Sequence, residues 1–366
     1  MTQKDSINIG IIGAGFARTT QLPGFRACAG ARVTAIASGR RESAERVARE
    51  FDIPFVGADW REIVTRADVD LVSIVTPPAT HLEIALAALD AGKAVLCEKP
   101  MAMNAAESQR MSERAQAVGA LALIDHELRF LDGRQKMRDM IRAGEIGQVR
   151  HAALSFRADS RATTERGWDW WSNAQMGGGA LGAIGSHAID AFRWLLDAEV
   201  ADVSCQLSTH VAERPDDASG GALRRVTTDD EANLLLRFAD HENLRGATAN
   251  VSLSLVEAGA PLHRLEIFGA RGALRVEEAG ELWHAPVGAG TWQRVDVERG
   301  ALAPGMRDGG WSRGFTRFAQ EIVNALRDGR RSIAGAATFA DGHRTQLVLD
   351  AARQSHDTGV RVAVTA

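Results

Sequence analysis

Ile7-Asn8-Ile9-Gly10-Ile11-Ile12-Gly13-Ala14-Gly15 is the stretch that decides the fold. An apolar run with the length of a buried strand leads directly into a Gly-x-Gly turn, and a helix is predicted to begin near Phe16. In a dinucleotide-binding unit, the first glycine allows the tight turn and the second lets a pyrophosphate approach the backbone. Arg18 stands where a third small residue is usual, and an ordinary strand-to-helix turn is the alternative. The candidate cofactor contacts here are Gly13, Gly15, Phe16 and Ala17.

The residues around this turn predict a nucleotide-binding domain over residues 1–125. Short apolar runs alternate with amphipathic stretches, a pattern typical of a parallel sheet wrapped by helices. With right-handed crossovers, this pattern gives a doubly wound α/β sheet, the Rossmann fold. The predicted strands are 7–12, 33–37, 71–75, 94–97 and 121–124.

A second domain is predicted over residues 126–366. After one helix at 133–143, and before two late helices at 315–327 and 338–355, most of the sequence is extended. Consecutive strands indicate a large, open-faced, mostly antiparallel sheet. The predicted strands are 149–156, 203–211, 232–238, 248–255, 262–268 and 273–276. The connections 158–175, 212–227 and 298–310 have the length of binding loops or lids.

Composition excludes several classes of function. The 366 residues carry a formal net charge of −4, so no basic surface indicates nucleic-acid binding. No apolar run approaches the length of a membrane span, and we expect no secretory signal. The three cysteines match no metal-site or redox-pair spacing, which predicts no metal and a reducing cytoplasm. Tyrosine is absent, which excludes a phenolic acid from the chemistry.

The residues after the second predicted strand bear on which nicotinamide cofactor fits. An acidic residue there holds the adenosine ribose 2′-hydroxyl of NAD and repels the 2′-phosphate of NADP. This chain has Ser38-Gly39-Arg40-Arg41 instead, and a hydroxyl with guanidinium groups is a good set of donors to a phosphate dianion. Ser38, Arg40 and Arg41 therefore favour NADP over NAD. The alternative is that both arginines are solvated residues at a helix start.

Two further turns follow predicted strands at the carboxyl edge, where ligands bind in this fold. Thr76-Pro77-Pro78-Ala79-Thr80-His81 is predicted to border the nicotinamide through Thr76, Pro77 and His81; a purely structural turn is the alternative. Cys97-Glu98-Lys99-Pro100 makes Glu98 and Lys99 candidate cofactor contacts. We expect the Lys99 ammonium to enter the cofactor cleft, orient a substrate hydroxyl and stabilise an alkoxide.

The segment 176–187, Met-Gly-Gly-Gly-Ala-Leu-Gly-Ala-Ile-Gly-Ser-His, ends at His187. Glycines let a backbone approach a ligand closely, and histidine is the side chain best suited to moving protons near neutral pH. We expect His187 to take the hydroxyl proton as a hydride leaves, and to return it in the reverse direction. The alternatives are a surface lysine at position 99 and a core histidine at position 187.

These motifs occur together in one order along the chain: the Gly13/Gly15 turn, Thr76-Pro77-Pro78 with His81, Cys97-Glu98-Lys99-Pro100, Gly144-Glu145-Ile146-Gly147, and Gly178-Gly179 through His187. They resemble the glucose–fructose oxidoreductase/inositol dehydrogenase/rhizopine catabolism (Gfo/Idh/MocA) family. The resemblance implies a Rossmann domain, an open-sheet domain, and NAD(P)-linked oxidation or reduction of sugars, cyclitols and their derivatives. It also implies dimers or tetramers built through the open sheets.

One position departs from that family. Many of its dehydrogenases carry an aspartate four residues before the histidine, where this chain has Ala183. The variant that depends on tyrosine is excluded too, because the chain has none. Proton transfer therefore reduces to Lys99 and His187, with help from water or from a carboxylate elsewhere as the alternative, for which Glu127, Asp169 and Asp190 are the candidates.

Aromatic and polar residues near these motifs suggest where a substrate binds. Arg129 stands just past the domain junction, and Trp168 and Asp169 precede two more tryptophans in the long loop before the glycine segment. Aromatic faces beside polar groups suit carbohydrate rings. Arg129, Trp168, Asp169 and His187 are the candidate substrate contacts, the alternative being tryptophans at a protein interface.

Three functions are consistent with these residues. The leading hypothesis is an NAD(P)-dependent dehydrogenase or reductase for a secondary alcohol on a sugar, cyclitol or related polyol. In the second, a retained NAD⁺ oxidises the sugar transiently and so enables glycosidic cleavage or elimination. The third is a sensor without catalysis that binds a dinucleotide or sugar to control a protein partner.

Overall fold

The computed structural model describes residues 4–241 and 244–365, and its contacts divide the chain into two compact units. The first unit comprises the residues up to Leu131 together with Gly300–His343. The second comprises Asp132–Arg299 and the residues from Arg344 onward. The contacts thus group 300–343 with the first unit, whereas the division drawn from the sequence placed this segment in the second domain.

The secondary structure accounts for most of both units. The strands are β1 Ile7–Ile12, β2 Ala31–Ala37, β3 Phe55–Val56, β4 Leu71–Ile74, β5 Ala94–Cys97, β6 Ala122–Ile124, β7 Val149–Arg157, β8 Val200–Ser208, β9 Glu213–Asp216, β10 Ala222–Arg225, β11 Glu231–Phe238, β12 Thr248–Ser254, β13 Leu262–Gly269, β14 Gly272–Val276, β15 Leu282–Pro286, β16 Gln293–Val295 and β17 Val362–Ala363. The α-helices are α1 Leu22–Ala27, α2 Arg41–Phe51, α3 Trp60–Val64, α4 His81–Asp90, α5 Ala105–Val118, α6 Asp132–Arg142, α7 Ser186–Leu196, α8 Gly310–Arg327 and α9 Phe339–Thr358.

The first unit is built on a six-stranded parallel sheet with the order β3-β2-β1-β4-β5-β6. Its central strands β1, β4 and β5 are buried along nearly their whole length because helices cover both faces. α2 buries Ala44, Val47 and Ala48, which recur at helical spacing, against one of these faces. The predicted doubly wound Rossmann domain is confirmed.

Helix α8 explains why a late segment of the chain joins this unit. Its buried side chains Phe315, Phe318 and Ile322 belong to the same apolar core as Ile9 of β1. The ring of Phe315 meets Phe25 of α1 edge-on, with 5.4 Å between the ring centroids. Burial of such aromatic side chains, about 2 kcal/mol or more each, holds the segment on the sheet.

The second unit is built on a nine-stranded sheet with the order β16-β15-β14-β13-β7-β12-β11-β8-β17. Every neighbouring pair is antiparallel except β7 and β12, which are parallel. Along β11, buried residues alternate with more exposed ones, so one face of the sheet packs inward and the other is open. The predicted open-faced, mostly antiparallel sheet is confirmed.

Prediction and structure differ mainly in short or solvent-facing elements. β1 and β5 have the predicted bounds, and the other predicted strands shift by a few residues. Strand β15, the edge strand β16 and the β9–β10 hairpin were not predicted, because short, partly exposed strands carry little apolar periodicity. In the described part of the chain, no helix is long and apolar enough to span a membrane.

Candidate active site

The glycine turn after β1 closes tightly against the end of β4. Gly13 has φ +111°, and a Cβ built there would lie 2.3 Å from the carbonyl oxygen of Val75. No side chain fits so close an approach. At Gly15, by contrast, a Cβ would meet no atom within 4 Å, so the backbone here borders open space. The turn therefore has the tight corner and the accessible backbone edge that a pyrophosphate requires.

Helical turns follow this corner at once and include a π-helical stretch, Ala17–Gln21, before α1. π-helical turns are frequent at functional sites. Phe16 is 44% exposed at the mouth of the turn, whereas Ala17 is buried beneath it. Arg18 points to solvent, where its Nε lies 2.6 Å from Glu50 Oε2. Its exposure explains how an arginine is accommodated where a small residue is usual.

Ser38, Arg40 and Arg41 lie at the same edge of the sheet, after β2. Arg41 Nε donates to Glu45 Oε1 at 2.8 Å, one turn along α2. Arg40 is exposed, and its guanidinium forms no ion pair with any residue in 4–241 or 244–365. An added anion can therefore bind Arg40 without breaking an existing ion pair.

His81 joins two turns of the first unit and is fully buried. Its Nε2 lies 2.8 Å from the carbonyl oxygen of Thr76, and its Nδ1 lies 3.2 Å from that of Pro100. Burial lowers the pKa of His81, so the neutral ring donates to one carbonyl only. The Thr80 hydroxyl donates to Pro77 O at 2.9 Å in the same turn. The geometry gives His81 a positioning role: it holds the turn that carries Thr76 and Pro77.

Lys99 and Glu98 follow β5 at the same carboxyl edge. Lys99 is half-buried, and its backbone nitrogen lies 3.4 Å from Glu98 Oε2. The Glu98 carboxylate is buried and turned into the protein, where Gln21 Nε2 donates to its Oε1 at 3.0 Å. Burial raises the pKa of Glu98, and the positive charge of Lys99 opposes that change.

Asp125, which follows β6, completes a buried polar cluster with these residues. Gln21 Nε2 also donates to Asp125 Oδ2, at 2.9 Å. Burial, followed by the negative charges of Glu98 and Glu127, raises the pKa of Asp125 well above its usual range. Within residues 4–241 and 244–365, no three His, Cys, Asp or Glu side chains are grouped so as to hold a metal ion. The cluster therefore consists of two carboxyl groups bridged by an amide.

In the second unit, the glycine segment forms a π-helical turn, Leu181–Gly185, that leads into α7. Gly179 has φ +110°, and a Cβ there would lie 2.4 Å from Asp229 Oδ1. Asp229 Oδ2 accepts a hydrogen bond from the backbone nitrogen of Leu181 at 2.6 Å. Glycine at 179 is thus required by the adjacent carboxylate of Asp229 as well as by the backbone conformation. His187 lies buried in the first turn of α7, and Ala183 lies one turn before it.

Trp168 and Asp169 are held by contacts inside the second unit. The guanidinium carbon of Arg224 lies 3.5 Å from the centroid of the Trp168 ring, and Trp168 Nε1 donates to Arg225 O at 3.1 Å. Arg161 Nη2 donates to Asp169 Oδ1 at 2.9 Å. The connections 158–175 and 212–227 therefore pack on one another, and the Asp169 carboxylate is occupied by an ion pair.

Arg129 belongs to the first unit and is only 5% exposed. Its Nη2 lies 3.4 Å from Asp341 Oδ1, and its Nη1 donates to the carbonyl oxygen of Gly335 at 3.5 Å. The charge of Arg129 is thus paired within this unit, with residues far along the chain.

Three residues of these clusters were not predicted from the sequence: Gln21, Asp125 and Asp229. One signal was present for Asp125, because it follows a strand at the carboxyl edge of the sheet, as Lys99 does. No comparable signal marks Gln21 or Asp229, whose partners lie far away in the sequence.

Two family models match the chain. Residues 7–126 match an oxidoreductase family with an NAD-binding Rossmann fold, and residues 134–275 match the GFO/IDH/MocA C-terminal domain. The chain belongs to the Gfo/Idh/MocA family. The resemblance inferred from the motifs is therefore confirmed, and the protein is an oxidoreductase with an NAD-binding Rossmann domain.

Relatives within the Gfo/Idh/MocA family match over nearly the whole length. An uncharacterized oxidoreductase of Synechocystis sp. is 28% identical over 372 residues, covering 100% of this chain and 98% of the relative. Levoglucosan dehydrogenase of Pseudarthrobacter phenanthrenivorans is 28% identical over 395 residues, covering 96% of each. A solved structure of levoglucosan dehydrogenase in complex with NADH and L-sorbose is similar, with a TM-score of 0.86 and 27% identity, and covers 99% of this chain and 100% of that chain.

Proposed function

We propose that this protein transfers a hydride between a nicotinamide dinucleotide and a secondary alcohol or ketone of a sugar, cyclitol or related polyol. The observation that carries the proposal is the carboxyl edge of the first sheet. There the open turn at Gly15, the Thr76 turn and Lys99 follow the neighbouring strands β1, β4 and β5. The sugar class is supported by levoglucosan dehydrogenase, whose complex contains NADH and L-sorbose.

The residues of the first unit fit a dinucleotide. The backbone of the Gly13–Gly15 turn is accessible to the pyrophosphate, because a Cβ at Gly15 would enter open space. The Thr76–Pro77 turn, held by His81, borders the region where the nicotinamide belongs in this fold. When bound, the nicotinamide ring supplies the hydride acceptor, or the donor in the reverse direction.

Two side chains of the protein handle the substrate oxygen in this proposal. The Lys99 ammonium donates a hydrogen bond to that oxygen and stabilises its negative charge as the proton leaves. His187 holds the proton at a ring nitrogen and returns it in the reverse direction. Ala183 supplies no carboxylate one turn before His187, so the pair acts without that group.

We propose NADP as the preferred cofactor, with NAD as the alternative. The residues directly after β2 include no acidic side chain, and Ser38 and Arg40 stand there instead. A hydroxyl and an exposed guanidinium suit a 2′-phosphate dianion. The solved structure of the related levoglucosan dehydrogenase contains NADH. The proposed preference of this chain for NADP therefore rests on the residues after β2.

The test is turnover of a polyol panel, followed by the absorbance of the reduced nicotinamide. We expect Lys99→Ala and His187→Ala to lower kcat by about a hundredfold or more, while Lys136→Ala and His210→Ala, at exposed positions, leave it unchanged. Unchanged turnover in the first two variants would remove both residues from the mechanism. Stoichiometric retained dinucleotide without net turnover would favour transient oxidation, and binding without any turnover would favour a sensor.

We propose that the protein forms a homodimer or homotetramer through the open face of the nine-stranded sheet. Leu235 of β11 is 64% exposed, and its cross-strand neighbours are Ser204 and Asn250. An apolar side chain among small polar ones in mid-sheet suits burial against a second copy. Light scattering tests this: Leu235→Asp should give monomers, whereas an unchanged mass would reject this interface.

We propose the cytoplasm as the location. The cysteines Cys28, Cys97 and Cys205 are free, as expected in a reducing compartment. Burial raises the pKa of the Cys28 thiol to about 12, which keeps it an unreactive apolar group. Cell fractionation tests the location directly.

A further inference from the structure

We propose that Glu98 and Asp125 form a carboxyl pair that shares one proton across the Gln21 amide and positions Lys99 for the reaction. Neither carboxyl group belongs to the proton-transfer step described above. The inference rests on the proposed function for its kinetic consequences, whereas the proton sharing itself is a property of the protein alone.

The geometry of the cluster leaves little freedom. Glu98 and Asp125 follow the adjacent strands β5 and β6, and the backbone nitrogen of Asp125 donates to Cys97 O at 2.8 Å. Gln21 has no exposed surface, and the Ser73 hydroxyl donates to its Oε1. With the amide oxygen at Ser73, the amide NH₂ points toward both carboxyl groups, at 3.0 and 2.9 Å.

Two carboxyl groups bridged by one amide in a buried site do not both ionise easily. Each charge is poorly solvated there, and like charges at this separation repel. Burial raises the pKa of both groups, and the charge of Glu98 raises that of Asp125 further. The positive charge of Lys99 lowers the pKa of Glu98 and so opposes the effect of burial there. The proton is therefore assigned to Asp125, and the negative charge to Glu98, which precedes Lys99 in the chain.

The groups that surround the pair do not change this assignment. Burial raises the pKa of the Cys97 thiol well above its usual range, so this neighbour is neutral. Burial lowers the pKa of His81, so its imidazole ring is neutral as well. Glu127 adds a negative charge that strengthens proton retention by Asp125. Lys99 then supplies the positive charge that acts on Glu98.

This arrangement explains how the protein supports Lys99 without the family's aspartate at position 183. A single buried carboxylate directs the ammonium of Lys99, because the attraction between opposite charges is stronger in a buried site than in water. A second ionised carboxylate would draw the ammonium toward the protein and away from the substrate. Glu98 and Asp125 are thus positioning residues, and loss of the shared proton should lower activity at alkaline pH.

The experiment compares Glu98→Gln, Asp125→Asn and Asp125→Leu with Glu62→Gln, which removes an exposed carboxylate of α3. The first measurement needs no substrate. It is the infrared difference spectrum, wild type minus Asp125→Asn, of the cofactor-free protein at pH 7. We expect it to contain the carbonyl band of a protonated carboxylic acid, which the difference spectrum for Glu62→Gln lacks.

The second measurement is the pH profile of kcat and KM. We expect Glu98→Gln to lower kcat by about tenfold or more with little change in KM for the dinucleotide, since the charge beside Lys99 is lost. Asp125→Asn, which keeps the hydrogen-bond donor, should retain kcat within about threefold at pH 7 and lose the alkaline decline. Asp125→Leu should resemble Glu98→Gln, with circular dichroism confirming that each variant is folded.

The outcomes separate this inference from the proposed function. Absence of the acid carbonyl band overturns proton sharing, whether or not the protein turns over a polyol. The positioning role is overturned if the wild type is active and the pH profiles of kcat for Glu98→Gln and Asp125→Asn match that of Glu62→Gln. A wild type that oxidises no polyol contradicts the proposed function, and the infrared result still decides whether the pair shares a proton.

Discussion

The carboxylate of Asp229 accepts a hydrogen bond from the backbone nitrogen of Leu181 at 2.6 Å, at the start of the helical segment that carries His187. The contact joins the residues before β11 to a turn that is 48 positions earlier in the chain. Burial raises the pKa of Asp229, and the hydrogen bond from Leu181 opposes only part of that change. The position of His187 thus depends on a residue that takes no part in the chemistry.

Removing this helix cap should destabilise the protein. We expect Asp229→Ala to lower the free energy of unfolding by about 1–2 kcal/mol, the range for loss of a helix N-cap, as measured by urea denaturation. Asp229→Asn, which keeps an acceptor oxygen, should lose less, and Asp217→Ala at an exposed position is the control. Equal stability of Asp229→Ala and Asp217→Ala would contradict the capping role.

The two glycines of the cofactor turn should respond differently to alanine. Gly13→Ala places a Cβ 2.3 Å from Val75 O at a φ of +111°, so we expect a lower Tm and loss of dinucleotide binding. Gly15→Ala meets no atom within 4 Å, so the Tm should be retained while affinity for the dinucleotide falls by about tenfold or more. Thermal melts and titration of reduced-nicotinamide fluorescence separate the two effects. Unimpaired dinucleotide affinity in Gly15→Ala would place the pyrophosphate elsewhere.

Arg40 should discriminate between the two nicotinamide cofactors. We expect Arg40→Ala to weaken NADPH binding by about tenfold or more and NADH binding little, because only NADPH carries the 2′-phosphate. Arg46→Ala, an exposed arginine on the same helix α2, is the control. Dissociation constants for both cofactors at fixed ionic strength provide the measurement. Equal weakening of NADH and NADPH would reject a contact between Arg40 and the phosphate.

Asp125 should make the stability of the protein depend on pH. Burial and the negative charges of Glu98 and Glu127 raise its pKa in the folded state well above the usual range, so the folded state holds a proton that the unfolded chain releases. The wild type therefore loses stability as pH rises from about 4 toward the folded-state pKa. We expect Asp125→Asn, which does not titrate, to gain stability relative to the wild type over that window, with the largest gain at its upper end. Thermal melts across the pH range measure this difference, which should vanish near pH 4. A constant difference at all pH values would show that Asp125 is ionised in the folded protein.

Much of the site can be placed from sequence because its position follows from local patterns. Gly13, Thr76 and Lys99 each follow a short apolar strand, and in a parallel sheet the carboxyl ends of such strands share one edge. What these residues contact is less predictable. His81 was expected to border the cofactor, yet its ring nitrogens lie against the carbonyl oxygens of Thr76 and Pro100.

The sequence by itself determined the Rossmann domain, the open sheet and the family, because strand, turn and helix signals act over a few neighbouring residues. Only the tertiary structure decided that Gln21 bridges Glu98 and Asp125, which lie 77 and 104 positions away, and that Asp229 caps the start of the His187 helix. Such contacts depend on strand order and on which distant segments pack together. Their energies come from burial and hydrogen bonding between side chains, for which a linear sequence carries no local signal.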